Sequence, residues 1–238
     1  TEAPLVHEPG GFIPFARIAK KTVSIPIIAV GRIELQEAEK GLSAGDFDFV
    51  AMGRKLLADP DLPNKISTGD TQLVRPCIYC YICVSQIFIN QPMTCAVNAR
   101  LGKEYMNENI IYSTAQQKNI LIIGAGPSGM EAARLLGEQG HKVQIWDREK
   151  DIGGTVRVAA LAYEPNGRLI DYLKNSLDNL GISISLNTEA TLDNINAMAP
   201  DQVIIATGAK RNAPKIKGTH LPNVFDGEEM RGLLFGTD

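Results

Sequence analysis

A turn of sequence GAGPSG, Gly124 to Gly129, constrains this chain most. An apolar run, Asn119 to Ile123, leads into it, and a helical pattern from about Ser128 to Gln139 follows it. Gly140 then ends the helix, and Val143, Ile145 and Trp146 read as a second strand closing on an acid, Asp147, 23 residues after Gly124. Strand, glycine turn, helix, strand and acid form the dinucleotide fingerprint in its required context. Gly124 permits the tight turn, Gly126 lets a pyrophosphate approach the backbone, and Gly129 lets the helix close on the strand. The helix N-terminus offers free N–H groups to phosphate, and Asp147 is placed to accept hydrogen bonds from a ribose. The alternative is a purely structural glycine turn.

Arg75 to Arg100 holds all 4 cysteines, Cys77, Cys80, Cys83 and Cys95, spaced C-x2-C-x2-C-x11-C. Four soft thiolates select zinc or an iron–sulfur cluster. Zinc sites usually split their ligands into two separated pairs, whereas a tight triplet with a remote fourth suits a 4Fe–4S cube. Disulfides fit poorly, because adjacent C-x2-C pairs in a chain of this size point to metal or redox chemistry.

The chain before the cysteines reads as alternating helix and parallel strand. Ile13 to Lys21 and Leu35 to Ser43 have helical spacing, and Ile25 to Val30 and Phe47 to Met52 read as buried strands. Each strand ends in Gly-Arg: Gly31-Arg32 and Gly53-Arg54. In a β/α barrel the loops after the last two strands commonly form a phosphate site. Glycine admits phosphate to the backbone, and arginine adds a bidentate charge. The plainer reading is two strand-end glycines with solvated arginines. Residues 1–11 read as a loop, KLLADPDLPNKI as a turn-rich segment, and 102–118 as a linker. Beyond Asp147, the Gly153-Gly154 pair could approach the nucleotide. Arg168 to Leu180 reads as an amphipathic helix, Ile182 to Leu186 as a strand, and Gln202 to Ala206 as a last buried strand leading to Thr207-Gly208. The rest reads as loop.

With 238 residues, 44% hydrophobic and 21% charged, the chain suits an ordinary globular protein. A formal net charge of −3 argues against general binding to nucleic acid or an anionic membrane. No apolar run reaches membrane-span length, and the start has no signal-peptide character, so a cytoplasmic protein is expected. His7, His141 and His220 stand far apart and outside every motif, and no nucleophile has a neighbouring base in sequence.

Together the three regions resemble the iron–sulfur flavoprotein family of 2,4-dienoyl-CoA reductase, 2-enoate reductase and trimethylamine dehydrogenase. AVGRI and FVAMGRKLLADPDLP look like the last two strands of its old-yellow-enzyme barrel, RPCIYCYICVSQ like its cluster motif, and IIGAGPSGMEAARLL with DIGG and VIIATG like its FAD domain. The resemblance implies an α/β chain in three parts. These are the C-terminal end of an FMN-binding TIM barrel (1–72), a 4Fe–4S segment with linker (73–117), and an incomplete Rossmann-like, glutathione-reductase-like domain for FAD or ADP (118–238). It implies FMN at Gly31, Arg32, Gly53 and Arg54, and the cluster on Cys77, Cys80, Cys83 and Cys95. The nucleotide falls on Gly124, Gly126, Pro127, Ser128, Gly129, Asp147, Arg148, Gly153, Gly154, Thr207 and Gly208. NAD(P)H is the expected reductant and an enoate or enoyl-CoA the expected small-molecule substrate, with electrons passing from FAD through the cluster to FMN.

Two departures shape that expectation. Enoyl reductases of the family carry one more residue between the second and third cysteines, whereas its amine dehydrogenases have the tight spacing found here. Amine oxidation and a non-catalytic electron-transfer subunit are therefore alternatives. The first six barrel strands, the catalytic proton donors and a second GxGxxG are absent from the 238 residues, so a piece of a longer enzyme, inactive alone, is expected, with no catalytic residue of its own.

Overall fold

The computed structural model describes residues 8–106, 116–209 and 216–236. Most of the expected N-terminal loop, most of the expected linker and His7 lie outside them. The chain divides into two compact units, Thr1–Lys103 and Glu104–Asp238. The cysteine stretch falls in the first.

The first unit runs α1 (Ile13–Thr22), β1 (Ile28–Val30), α2 (Leu35–Ser43), β2 (Phe49–Ala51), α3 (Gly53–Ala58), α4 (Leu62–Thr68) and α5 (Ile82–Phe88). β1 and β2 pair in parallel, Ile28 opposite Phe49 and Val30 opposite Ala51. Phe47, 2% exposed, packs with Ala29, Ile33 and Ala38, its ring lying where a side chain on Gly41 of α2 would sit. Asp46 and Asp48, just before β2, bind Arg17 and Lys20 of α1 at 2.6 Å each, which ties helix to strand.

Two expectations are corrected here. The strands are parallel but not buried on both faces: Ile28 is 62% exposed and Phe49 58%, so only alternate residues meet this unit's core. KLLADPDLPNKI is not turn-rich loop; it forms α3 and α4. Pro60 forces Asp59 into extended backbone and ends α3. Pro63 sits in the first turn of α4, where its missing N–H does no harm, and Gly69 closes that helix at φ 83°.

The second unit runs β3 (Asn119–Ile123), α6 (Pro127–Glu138), β4 (Lys142–Trp146), α7 (Thr155–Ala162), α8 (Pro165–Asn179), β5 (Ser183–Ser185), α9 (Leu192–Met198), β6 (Gln202–Ile205) and α10 (Gly227–Phe235). Its sheet is parallel throughout, in the order β5-β4-β3-β6. Central β3 is therefore apolar on both faces, with Ile120, Leu121 and Ile122 at most 1% exposed. Met130 and Ala133 of α6 and Tyr172, Leu173 and Leu177 of α8 pack over it. β6 is one of the two outer strands, and Ile205 is 76% exposed, which corrects the expectation of a buried one. Helices α7, α9 and α10 stand where no helix was expected. Among the described residues no helix is long and apolar enough to cross a membrane.

Candidate functional site

The shared register of β1 and β2 makes both strands end at one level, so Gly31-Arg32 and Gly53-Arg54 leave the sheet side by side. They line one cavity of about 220 Å³ together with Lys55 and Tyr79. Gly31 adopts φ 116°, and a Cβ there would meet the Phe12 ring at 2.8 Å. Apart from its chain neighbours and the backbone of its own helix, nothing lies within 4 Å of a Cβ built on Gly53. The second glycine therefore leaves room beside two arginines and a lysine, which is what a phosphate monoester requires.

Tyr79, 3% exposed, was missed by sequence reasoning as part of this site. It sits between Cys77 and Cys80, yet its ring carries Arg32 at 4.8 Å and Arg54 at 5.2 Å from the centroid. Arg54 also lies 4.5 Å from the centroid of Tyr81. Each such contact contributes about 0.5–2 kcal/mol according to its desolvation. The Tyr79 hydroxyl donates to Glu34 Oε1 at 2.6 Å, and Glu34 also pairs with Lys55. Burial, then Glu34, holds the phenol far above its ordinary pKa, so it stays a donor.

The ends of the cysteine stretch are pinned to α3 and α4. Asp59, buried, accepts from the Arg75 backbone N–H at 2.7 Å and pairs with Lys65. The Arg75 guanidinium donates to Val97 O at 3.0 Å, and Asn98 Nδ2 donates to Leu57 O at 2.9 Å. These residues set where the loop begins and ends. Only their flanking positions hinted at it in the sequence.

All four cysteines are free; Cys83 is buried, Cys77 and Cys95 half-buried and Cys80 exposed. Burial pushes the Cys77 and Cys83 thiols up, and the nearby Cys95 pushes both further. The backbone N–H groups of Tyr79 and Val84, which Cys77 and Cys83 accept, and the charge of Arg54 act the other way. A single zinc ion would draw its sulfurs to within about 4 Å of one another. Among the described residues no group of three or more His, Cys, Asp or Glu stands arranged to hold a metal ion. A cube would offer four separate iron corners, one to each thiolate. The donor set, four soft thiols with backbone N–H groups on two of them, is of the type that a 4Fe–4S cluster would use.

In the second unit the glycine turn lies where β3 has neighbours on either side, the crevice in which open parallel sheets bind nucleotides. Gly124, at φ 113°, would place a Cβ 2.4 Å from Ala206 O, and Gly129 would place one 1.9 Å from Gly124 O. Both positions are closed to any side chain. A Cβ on Gly126 meets nothing within 4 Å, which leaves open the face a pyrophosphate would use. Pro127 opens α6, and Ser128 follows it, exposed. Gly153 N–H donates to Ala125 O at 2.8 Å and Gly154 lies against Gly126, so the second glycine pair does pack on the turn. Thr207 and Gly208 are exposed just beyond β6, and a Cβ on Gly124 would lie 3.2 Å from the Thr207 backbone nitrogen.

Asp147 does more than wait for a ribose. Its Oδ2 accepts from Ala125 N–H at 2.6 Å and its Oδ1 from Glu149 N–H at 2.9 Å. A carboxylate has about four acceptor positions, so capacity for ribose hydroxyls remains. Arg148, 77% exposed on its side chain, lines with Lys150, Arg157 and Arg231 a cavity of about 410 Å³ beside α10. There Arg157 stacks 4.3 Å over Phe235. His141 accepts from the Lys118 backbone, a structural role.

Comparison with known proteins agrees with this division. Residues 12–72 match the NADH:flavin oxidoreductase / NADH oxidase family, and residues 118–232 the pyridine nucleotide-disulphide oxidoreductase family. Both matches are to oxidoreductase families, consistent with the expected resemblance to the enoate reductases and trimethylamine dehydrogenase. It is 41% identical over 219 residues to a metal reductase of Desulforamulus reducens, covering 87% of this chain and 32% of that protein. It is 34% identical over 231 residues to a cinnamate reductase of Clostridium sporogenes, covering 95% and 34%. Among solved structures it matches a 2-naphthoyl-CoA reductase with a TM-score of 0.91 and 37% identity, over 98% of this chain and 36% of that one. The chain thus spans about a third of the length of these relatives.

Proposed function

We propose that this chain is the cofactor-bearing middle of an NAD(P)H-dependent iron–sulfur flavoenzyme that reduces an activated C=C bond of an enoate or enoyl-CoA type substrate. Bound FAD would accept hydride, a 4Fe–4S cluster would carry single electrons, and FMN would deliver them to substrate. The chain's own residues bind and orient. Arg32, Arg54 and Lys55 receive the FMN phosphate with the backbone at Gly31 and Gly53. Cys77, Cys80, Cys83 and Cys95 hold the cluster. Gly124, Gly126 and Gly129 admit the pyrophosphate of FAD or ADP, Asp147 accepts from its ribose, and Gly153-Gly154 and Thr207-Gly208 flank it. The observation that carries the reading is the reach of the cysteine loop into the phosphate cavity through Tyr79. A cluster on these cysteines and a flavin phosphate in this cavity would then be neighbours within one compact unit.

A second reading has its own support: the tight cysteine spacing suits an amine dehydrogenase, and a dimethylamine dehydrogenase of Hyphomicrobium sp. (strain x) is 32% identical over 234 residues. The test is to supply the anaerobic full-length gene product with NADH or NADPH and a 2-enoate or 2-enoyl-CoA, or with a secondary or tertiary amine and an artificial acceptor. Enoate-dependent oxidation of the nicotinamide supports the first reading. Amine-dependent reduction of the acceptor without it moves the assignment to the second.

A further inference from the structure

Tyr79 belongs to the cysteine loop by sequence and to the phosphate cavity by its side chain. Its backbone stands at φ 50°, a region that costs a residue with a Cβ free energy, so the surrounding structure holds it there against local preference. Its ring is the common surface under Arg32 and Arg54, and its hydroxyl is anchored on Glu34. An arginine side chain has many rotamers, and stacking the guanidinium on a fixed ring selects among them while leaving its N–H edge for a phosphate. Lys55 Nζ lies 5.7 Å from the same ring centroid, so three cations are gathered on one side chain.

We propose that Tyr79 is a positioning residue that sets Arg32 and Arg54 for a phosphate monoester, so that order in the cysteine loop and affinity for that phosphate are coupled. The inference rests on the flavin and cluster reading above. Coupling of this kind is reciprocal: what fixes the loop tightens the phosphate site, and phosphate in the site steadies the loop.

The test compares FMN with riboflavin, which lacks the phosphate, on full-length protein stripped of flavin and titrated by fluorescence quenching. Tyr79→Leu should weaken FMN about tenfold or more, the scale of one or two lost charge–ring contacts, and leave riboflavin within about twofold. Tyr79→Phe keeps the ring and should restore FMN affinity to within about threefold of wild type. Removing the cluster from wild-type protein by chelation loosens the loop without any substitution, and should produce the same phosphate-selective loss. Equal FMN affinity in wild type, Tyr79→Leu and chelated protein overturns the inference. So does a loss that falls equally on FMN and riboflavin, since that marks a general structural role. Wild-type protein that binds neither flavin overturns the flavin reading itself, and this inference with it.

Discussion

Asp147 Oδ2 accepts a 2.6 Å hydrogen bond from the backbone N–H of Ala125, so the acid at the end of β4 braces the glycine turn at the end of β3. The residue expected to hold a ribose thus also holds the turn expected to face a pyrophosphate. Asp147→Ala should destabilise the ligand-free protein by about 1–3 kcal/mol, because it strands a hydrogen bond made to a charged group. Urea unfolding without nucleotide checks this. An unchanged midpoint would leave Asp147 with a ligand role alone.

Two glycines in that turn should separate folding from binding. Gly129→Ala puts a methyl group 1.9 Å from Gly124 O, onto backbone that cannot swing aside, and should cost at least about 3 kcal/mol or prevent folding. Gly126→Ala meets nothing beyond its chain neighbours and keeps an ordinary φ of −74°, so its stability should stay within about 1 kcal/mol of wild type. Its nucleotide affinity should fall at least about tenfold, since the methyl group occupies the approach of the pyrophosphate. Thermal unfolding beside ADP titration measures both, and equal affinity in Gly126→Ala would reject the proposed contact.

How much of this was legible in the sequence depends on where the determinants lie. The GAGPSG turn was readable because its constraints are local: a glycine is demanded wherever a Cβ would strike nearby backbone. The Gly-Arg doublet was readable as a pattern, but not its partner. Tyr79 reaches the cavity by a fold of the cysteine loop that no periodicity encodes. The exposure of Ile28 and Phe49 was misjudged because an apolar run reports a preference for burial, not which neighbour supplies it. Helices α9 and α10 were missed although their starts carry capping boxes, Thr191 with Asn194 and Asp226 with Glu229. Short helices with weak apolar stripes are found by their caps, and those signals were present.

Acid should loosen the first unit through Asp48. Its carboxylate accepts from Lys20 Nζ and from Ile27 N–H, and these bonds, Lys20's first, hold its pKa below the ordinary aspartate value. A lowered folded-state pKa gives stability that is present above the unfolded value and lost as pH falls through the folded one. Asp48→Asn should therefore flatten the stability–pH curve below about pH 4 and leave its shape near neutrality unchanged. Parallel acid limbs in variant and wild type would contradict this.

The cysteines should hold iron. Protein purified without oxygen is expected to carry about four irons and four sulfides per chain, and Cys83→Ser to lose most of both, because a hydroxyl is a poor soft ligand. Stoichiometric zinc without sulfide would replace the cluster with a single ion.

The central claim is that electrons travel from the nucleotide domain through the cysteine segment to the flavin at the Gly-Arg doublet. The most direct measurement compares full-length wild type with Cys83→Ser, both loaded with flavin, in anaerobic NAD(P)H oxidation. The variant is predicted to go on reducing an artificial acceptor at a rate near wild type while its enoate-dependent turnover disappears. Enoate reduction at the wild-type rate by protein shown to lack iron would contradict the account.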